Sequence, residues 1–206
     1  AATVDVILSR SITGNSIGAK LTIPQGTLFT DSSGNSWLSA RDVTWYSNVT
    51  TCKVPIIQHE KYTASALNNM LIPTGDRVIV HLGTLPNGKY YEQGSMSLQI
   101  GGETWVLVDT FAKSKPTDKH FMVSVDEALN PYIMFGDGTF GKKPAAGAKI
   151  TNVVFYLTNG TQGNVKSNTI TSVPSIISSS ITDATVSNAY DAGGGSNYEN
   201  FIMLKE

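Results

Sequence analysis

The sequence predicts a β-rich protein, and three observations carry that expectation. Apolar residues alternate with polar ones at Val4, Val6 and Leu8, and again at Ile17, Ala19, Leu21 and Ile23, the period-two pattern of half-buried strands. Charged residues are 15% of the 206 positions, against about 25% in an average globular domain, and Ser, Thr, Asn and Gly fill the difference. Turn-forming residues also recur at short intervals, as β meanders require.

In order along the chain, the two alternating segments are expected as strands joined by a turn at Thr13-Gly14-Asn15. Pro24-Gln25-Gly26-Thr27 reads as a tight turn, Pro fixing φ at one corner and Gly giving freedom at the next. Leu28-Phe29-Thr30 and Ser36-Trp37-Leu38-Ser39 flank a polar hairpin loop at 31–35. Two apolar stretches follow, Val43 to Tyr46 and Val54 to Ile57, the second placed at a sheet edge by Pro55. From Glu60 to Leu71 the residues Tyr62, Ala66, Leu67 and Met70 fall near helical spacing, giving one short helix or an ordered loop. Strands resume at Arg77 to Leu82, Ser95 to Ile100, Thr104 to Asp109 and His120 to Val125, with a hairpin turn at Gly101-Gly102. Ala148 to Leu157 is the clearest strand, closed by the polar run 159–164. Extended chain is expected from Asn168 to Val186, then a flexible joint at Asp191-Ala192-Gly193-Gly194-Gly195-Ser196.

Composition excludes several function classes. One cysteine, Cys52, builds neither an internal disulfide nor a zinc cluster, and a buried apolar role is expected for it. A net charge of −1 gives no electrostatic footprint for nucleic acid. The longest apolar runs, such as Val78 to Val80 and Val153 to Leu157, fall far short of the roughly 18–20 residues of a membrane helix. The start Ala1-Ala2-Thr3 lacks the layout of a signal peptide, and the helix-like pattern from Glu199 to Glu206 stops after barely two turns. Both ends read as those of a piece of a longer protein.

No catalytic, cofactor or metal residues emerge. His59, His81 and His120 lie outside metal-binding spacings, and no G-x-S-x-G elbow occurs. Gly136-Asp137-Gly138-Thr139-Phe140-Gly141 lacks the oxygen density of a calcium loop, and Lys142-Lys143-Pro144 is not the continuation of a phosphate loop. It is expected to be a glycine-shaped turn in which Asp137 accepts from neighbouring amides while Phe135 and Phe140 point to the core. Asn48 and Asn159 stand in glycosylation triplets. Trp37, Trp45 and Trp105, with Tyr90 and Tyr91, are expected in the core or at subunit contacts, a sugar-binding face being the alternative.

Phe135-Gly136-Asp137-Gly138-Thr139-Phe140-Gly141, then Pro144, Gly147, the strand Ile150 to Leu157, and Thr158-Asn159-Gly160-Thr161-Gln162-Gly163-Asn164, form an ordered pattern. It resembles the baseplate J-like family, the wedge subunits of contractile phage tails and related injection machines. Leu21-Thr22-Ile23-Pro24-Gln25-Gly26-Thr27-Leu28-Phe29 resembles the family's opening, Trp105 to Val108 its W-x-x-V strand, and Gly194-Gly195-Ser196-Asn197-Tyr198-Glu199 the entry to its carboxy-terminal region, with Asn197 where Asp is frequent. The structural motif residues are Phe135, Gly136, Asp137, Gly138, Gly141, Pro144, Gly147, Gly160, Gly163 and Asn164. The resemblance implies an all-β fold of two sandwich- or barrel-like modules with at most one or two short helices. Residues 1–54 with about 165–190 would form the first, 55–164 an inserted second, and 191–206 a joint and the start of a helix. It further implies a non-enzymatic part of the virion baseplate, assembled in the host cytoplasm. Its expected partners are other wedge subunits and copies of itself, with no cofactor, nucleic acid or membrane. Two rivals remain: a carbohydrate-binding or adhesion module, and a hydrolase using Asp109 and Asp137.

Overall fold

The computed structural model describes residues 1–11, 20–64, 67 and 69–197. The fold is all-β, as expected. Strands β1 (Thr3–Ser9), β2 (Lys20–Ile23), β3 (Leu28–Asp31), β4 (Ser36–Ser39), β5 (Val43–Tyr46) and β6 (Thr51–Ile57) come first. They are followed by β7 (Glu60–Thr63), β8 (Ile79–His81), β9 (Tyr90–Tyr91), β10 (Ser97–Ile100), β11 (Glu103–Leu107), β12 (His120–Val125), β13 (Pro131–Phe135) and β14 (Ile150–Thr158). A 3-10 turn at Gly160–Gly163, β15 (Ile170–Ser172), the single-turn helix α1 (Ser175–Ser178) and β16 (Thr185–Ser187) complete the order. The chain forms two compact units, residues 1–60 with 158–197, and residues 61–157.

In the first unit a six-stranded sheet runs β15-β3-β4-β6-β1-β16 and nearly closes on itself, with β2 and β5 as a separate two-stranded ribbon. The alternation at the amino end is explained by this closure: Val6 and Leu8 face inward with Phe29, Trp37, Val54 and Ile56, all at most 1% exposed. The unit keeps all of β6, beyond residue 54, because β6 pairs with β1 along its whole length, from Thr51 opposite Ser9 to Ile57 opposite Thr3. It resumes at Thr158 rather than 165, so the Gly160–Gly163 turn belongs here.

Pro55 does not mark an edge. It lies within β6, between β4 and β1, opposite Asp5. Gln58 N donates to Ala2 O, so alternate residues of β6 address β1 and residue 55 addresses β4. The β4 register on β6 ends with Ser39 opposite Ile56, so the missing proline N–H costs the ladder a single bond, to Ala40, at the point where β4 stops. The carbonyl of Pro55 still accepts from Ala40 N.

The second unit is one sheet of order β7-β14-β10-β11-β12-β13-β8, curled into a half-barrel, with β9 added to β14. Val78, Val80, Leu98, Phe121, Ile133, Ile150, Val153, Phe155 and Leu157 fill its concave side. β11 and β12 are parallel, Val106 lying opposite His120 and Leu107 opposite Phe121. Parallel neighbours cannot be joined by a tight turn, so residues 108–119 cross the sheet as a long loop. The helix expected from Glu60 is replaced at its start by β7, while Ala66 lies outside the described residues. The turn at 13–15, Ile17 and Ala19, and the carboxy-terminal pattern from Tyr198 also lie outside them.

Candidate functional site

The FGDG segment folds back on itself because of its glycines. A Cβ on Gly136 would stand 2.3 Å from the Gly141 carbonyl carbon, so the two backbones touch where only glycine fits. Gly138 has φ +95° and its N–H donates to Gly141 O at 3.0 Å. Asp137 Oδ1 accepts from the amides of Thr139 and Phe140, both at 2.8 Å, the arrangement expected from the sequence. Those amides hold its carboxyl below the usual aspartate value. The turn docks on the 108–119 crossover: Lys142 N donates to Asp118 O, and the Phe111 ring lies against Gly141.

One aromatic is placed differently from the sequence expectation. Phe135 is buried at 6%, but Phe140 is 53% exposed. The tightness of the turn explains this, since folding Gly141 onto Gly136 carries residue 140 to the outside of the bend. Phe140, Phe111, Met122, Met134 and Ile79 line a cavity of about 600 Å³ on the convex side of the sheet, with Arg77 and Asp137 at its lip. Its floor is a row of directly paired residues across three strands, Met122 opposite Met134 and Met134 opposite Ile79. Their strand neighbours Phe121, Ile133, Phe135 and Val80 point to the core.

The second half of the motif lies in the first unit and has different neighbours. Gln58, fully buried, accepts at Oε1 from Thr158 Oγ1 at 3.1 Å and from Asn159 N at 2.6 Å. A Cβ on Gly163 would approach that same Oε1 to 3.1 Å. Asn164 exchanges two 2.8 Å bonds with the backbone of Gly195, Nδ2 donating to its carbonyl and Oδ1 accepting from its N–H. Asn197 Oδ1 accepts from Thr161 N at 2.9 Å. Only acceptance is asked of it there, so aspartate would serve equally. Pro144 is buried and Gly147, at φ +77°, donates to Ile72 O, closing the chain onto the segment before β8. The ten motif residues are therefore divided between the two units rather than gathered into one site.

Other candidates resolve into structure. Trp37 and Trp45 are fully buried and Trp105 is 4% exposed, so none offers a face for sugar stacking. Trp37 Nε1 donates to Asp31, whose carboxylate also receives Asn35 and Ser33. Arg10 lies over Trp45 at 4.9 Å and donates to the carbonyls of Tyr46 and Val49. Burial pushes the Cys52 thiol up from its ordinary value, which keeps it protonated and unreactive. Asn159 is 6% exposed with its amide donating to Asn35, so the second glycosylation triplet is closed to a glycan.

Asp109 and Asp137 line different cavities. Asp109 belongs to a smaller one, of about 160 Å³, beside Tyr91, whose phenol burial pushes up to about 12. Among the described residues no cluster of His, Cys, Asp and Glu could hold a metal ion, and no helix is long and apolar enough to cross a membrane. The architectural turn and the groove beside it are what the sequence pattern builds, and comparison with family models, curated proteins and solved structures finds no match to this chain.

Proposed function

We propose that the chain is a structural subunit of a contractile tail baseplate, part of the wedge that rings the tail hub and rearranges as the sheath contracts. The resemblance carried by residues 135–147 and 158–164 motivates the reading. One observation supports it best: the motif residues are engaged in backbone geometry. Gly136 and Gly141 touch, Asp137 caps its own loop, Gln58 grips Thr158 and Asn159, and Asn164 grips Gly195. A part that must keep its shape while its neighbours move needs such fixed corners, and it needs surfaces for those neighbours. The apolar floor at Ile79, Met134 and Met122 is one such surface. Its expected partners are other wedge subunits and further copies of the chain.

Co-expression of the full-length protein with neighbouring tail components tests this. The expected result is a stable hetero-complex, while light scattering on the 206-residue chain alone shows a monomer or weak dimer. A tight closed oligomer of the chain alone, or failure of the full-length protein to join any tail component, overturns the reading.

A further inference from the structure

β8 is a terminal strand of the second unit's sheet, hydrogen-bonded on one side only. Phe135 N donates to Val78 O and Leu82 N to Pro131 O, so Val78, Val80 and Leu82 direct their backbone groups at β13. By alternation the N–H and C=O of Ile79 and His81 point the other way. They have no partner among the described residues, and both side chains are exposed. The outward-pointing edge is also the rim of the apolar groove, because Ile79 belongs to both. A row of unpaired donors and acceptors beside an apolar floor is a template for an extended chain.

We propose that this edge receives an extended segment of a partner polypeptide as an added antiparallel strand, whose apolar side chains cover Ile79 at the near end of the groove. The inference rests on the assembly reading above and names the surface that reading requires. Two features select the occupant. An added backbone bonds the outward groups of Ile79 and His81 together, which a small apolar ligand displacing their water cannot do. At the lip, Arg77 is exposed and its charge reaches Asp137, but it makes no side-chain hydrogen bond among the described residues, so its guanidinium donors are open to a carboxylate. The segment therefore carries an acidic residue at the position that meets Arg77, with apolar residues two and four positions before it, opposite Ile79 and His81, all on one face of the strand.

The test uses the 206-residue chain and a fluorescein-labelled peptide, Thr-Leu-Thr-Phe-Thr-Glu-Thr, read by polarisation. Saturable binding is expected. N-methylation at Phe and Leu, whose N–H groups would point at β8, should weaken it at least about tenfold, and at the intervening Thr residues less than about twofold. These comparisons leave the protein untouched. Ile79→Glu, which puts a charge where the added side chains land, should also weaken binding about tenfold with an unchanged unfolding midpoint. Absence of saturable binding, equal loss from the two methylation patterns, or equally tight binding of N-acetyl-phenylalanine amide overturns the proposal. Peptide binding without entry into a tail complex keeps the groove and removes the baseplate reading; entry into the complex without peptide binding does the reverse.

Discussion

Replacing Gly136 with alanine adds one methyl group, and its cost follows from where that methyl must go. It would stand 2.3 Å from the carbonyl carbon of Gly141, 2.4 Å from its oxygen and 2.7 Å from its Cα, about 0.8–1.2 Å inside ordinary contact of about 3.5 Å. All three atoms are backbone, so no rotamer change relieves the overlap and the turn must open. Opening it breaks the Gly138 N–H to Gly141 O bond, about 1 kcal/mol, and lifts Gly141 off the Phe111 ring, about 1–2 kcal/mol. A loss of about 2–3 kcal/mol in a unit of this size lowers its Tm by roughly 8–24 °C. Gly138→Ala is the control: its new Cβ has space, the nearest atom being Lys143 Cβ at 3.9 Å, and only the φ of +95° is strained, for about 1–2 kcal/mol. Fluorotryptophan labelling separates the units, since Trp105 reports on the second and Trp37 and Trp45 on the first. A Trp105 midpoint within about 2 °C of wild type, or above that of Gly138→Ala, refutes the reasoning.

Gln58→Leu should destabilise the first unit by about 2–4 kcal/mol, measured by denaturant unfolding, because Asn159 N–H and Thr158 Oγ1 lose their buried acceptor. Asp31 gives a pH dependence: burial would raise its carboxyl, but donors from Asn35, Trp37 and Ser33 outweigh that and lower it below the ordinary value. Its stabilisation is therefore complete above the unfolded pKa of about 3.9 and lost as pH falls through the lower folded value. The first unit of Asp31→Asn should be weaker than wild type at pH 6, and the gap should narrow in acid. Asn197→Asp should keep the wild-type midpoint, because its oxygen only accepts, whereas Asn197→Ala should cost about 1 kcal/mol in the same unfolding assay.

Local chemistry made part of this structure legible. Gly26 at φ +79° and Gly101 and Gly102 at +59° and +81° sit in the turns their sequence context marks, and the alternation of Val6 and Leu8 matches their burial. Non-local pairing was not legible. Nothing near residues 104–125 announces that β11 and β12 run parallel, yet that pairing sends Phe111 across the sheet to form a wall of the groove. Pro55 misled because a prolyl residue reports a missing donor without reporting whether a neighbour needed it. Phe140 misled because an aromatic in an apolar stretch reads as core until the bend made by Gly136 and Gly141 is known. The stripe across β12, β13 and β8 could have been found only by aligning Met122, Met134 and Ile79 across strands far apart in sequence. The single turn of α1, after Pro174, lay in a Ser- and Ile-rich run that reads equally as strand.

The chain enters the second unit through β7 and leaves it through β14, which are adjacent strands of one sheet. At the root, Gln58 ties the outgoing Thr158 and Asn159 to the incoming strand. Tension applied between residue 1 and residue 197 is therefore borne by the first unit, where Thr3 and Gly193 exchange two bonds beside the two ends and are the first pair to be pulled apart. The inserted sheet is mechanically bypassed until the bonds at Gln58 rupture. In a chain threaded this way the frame meets a load on its ends before the passenger does.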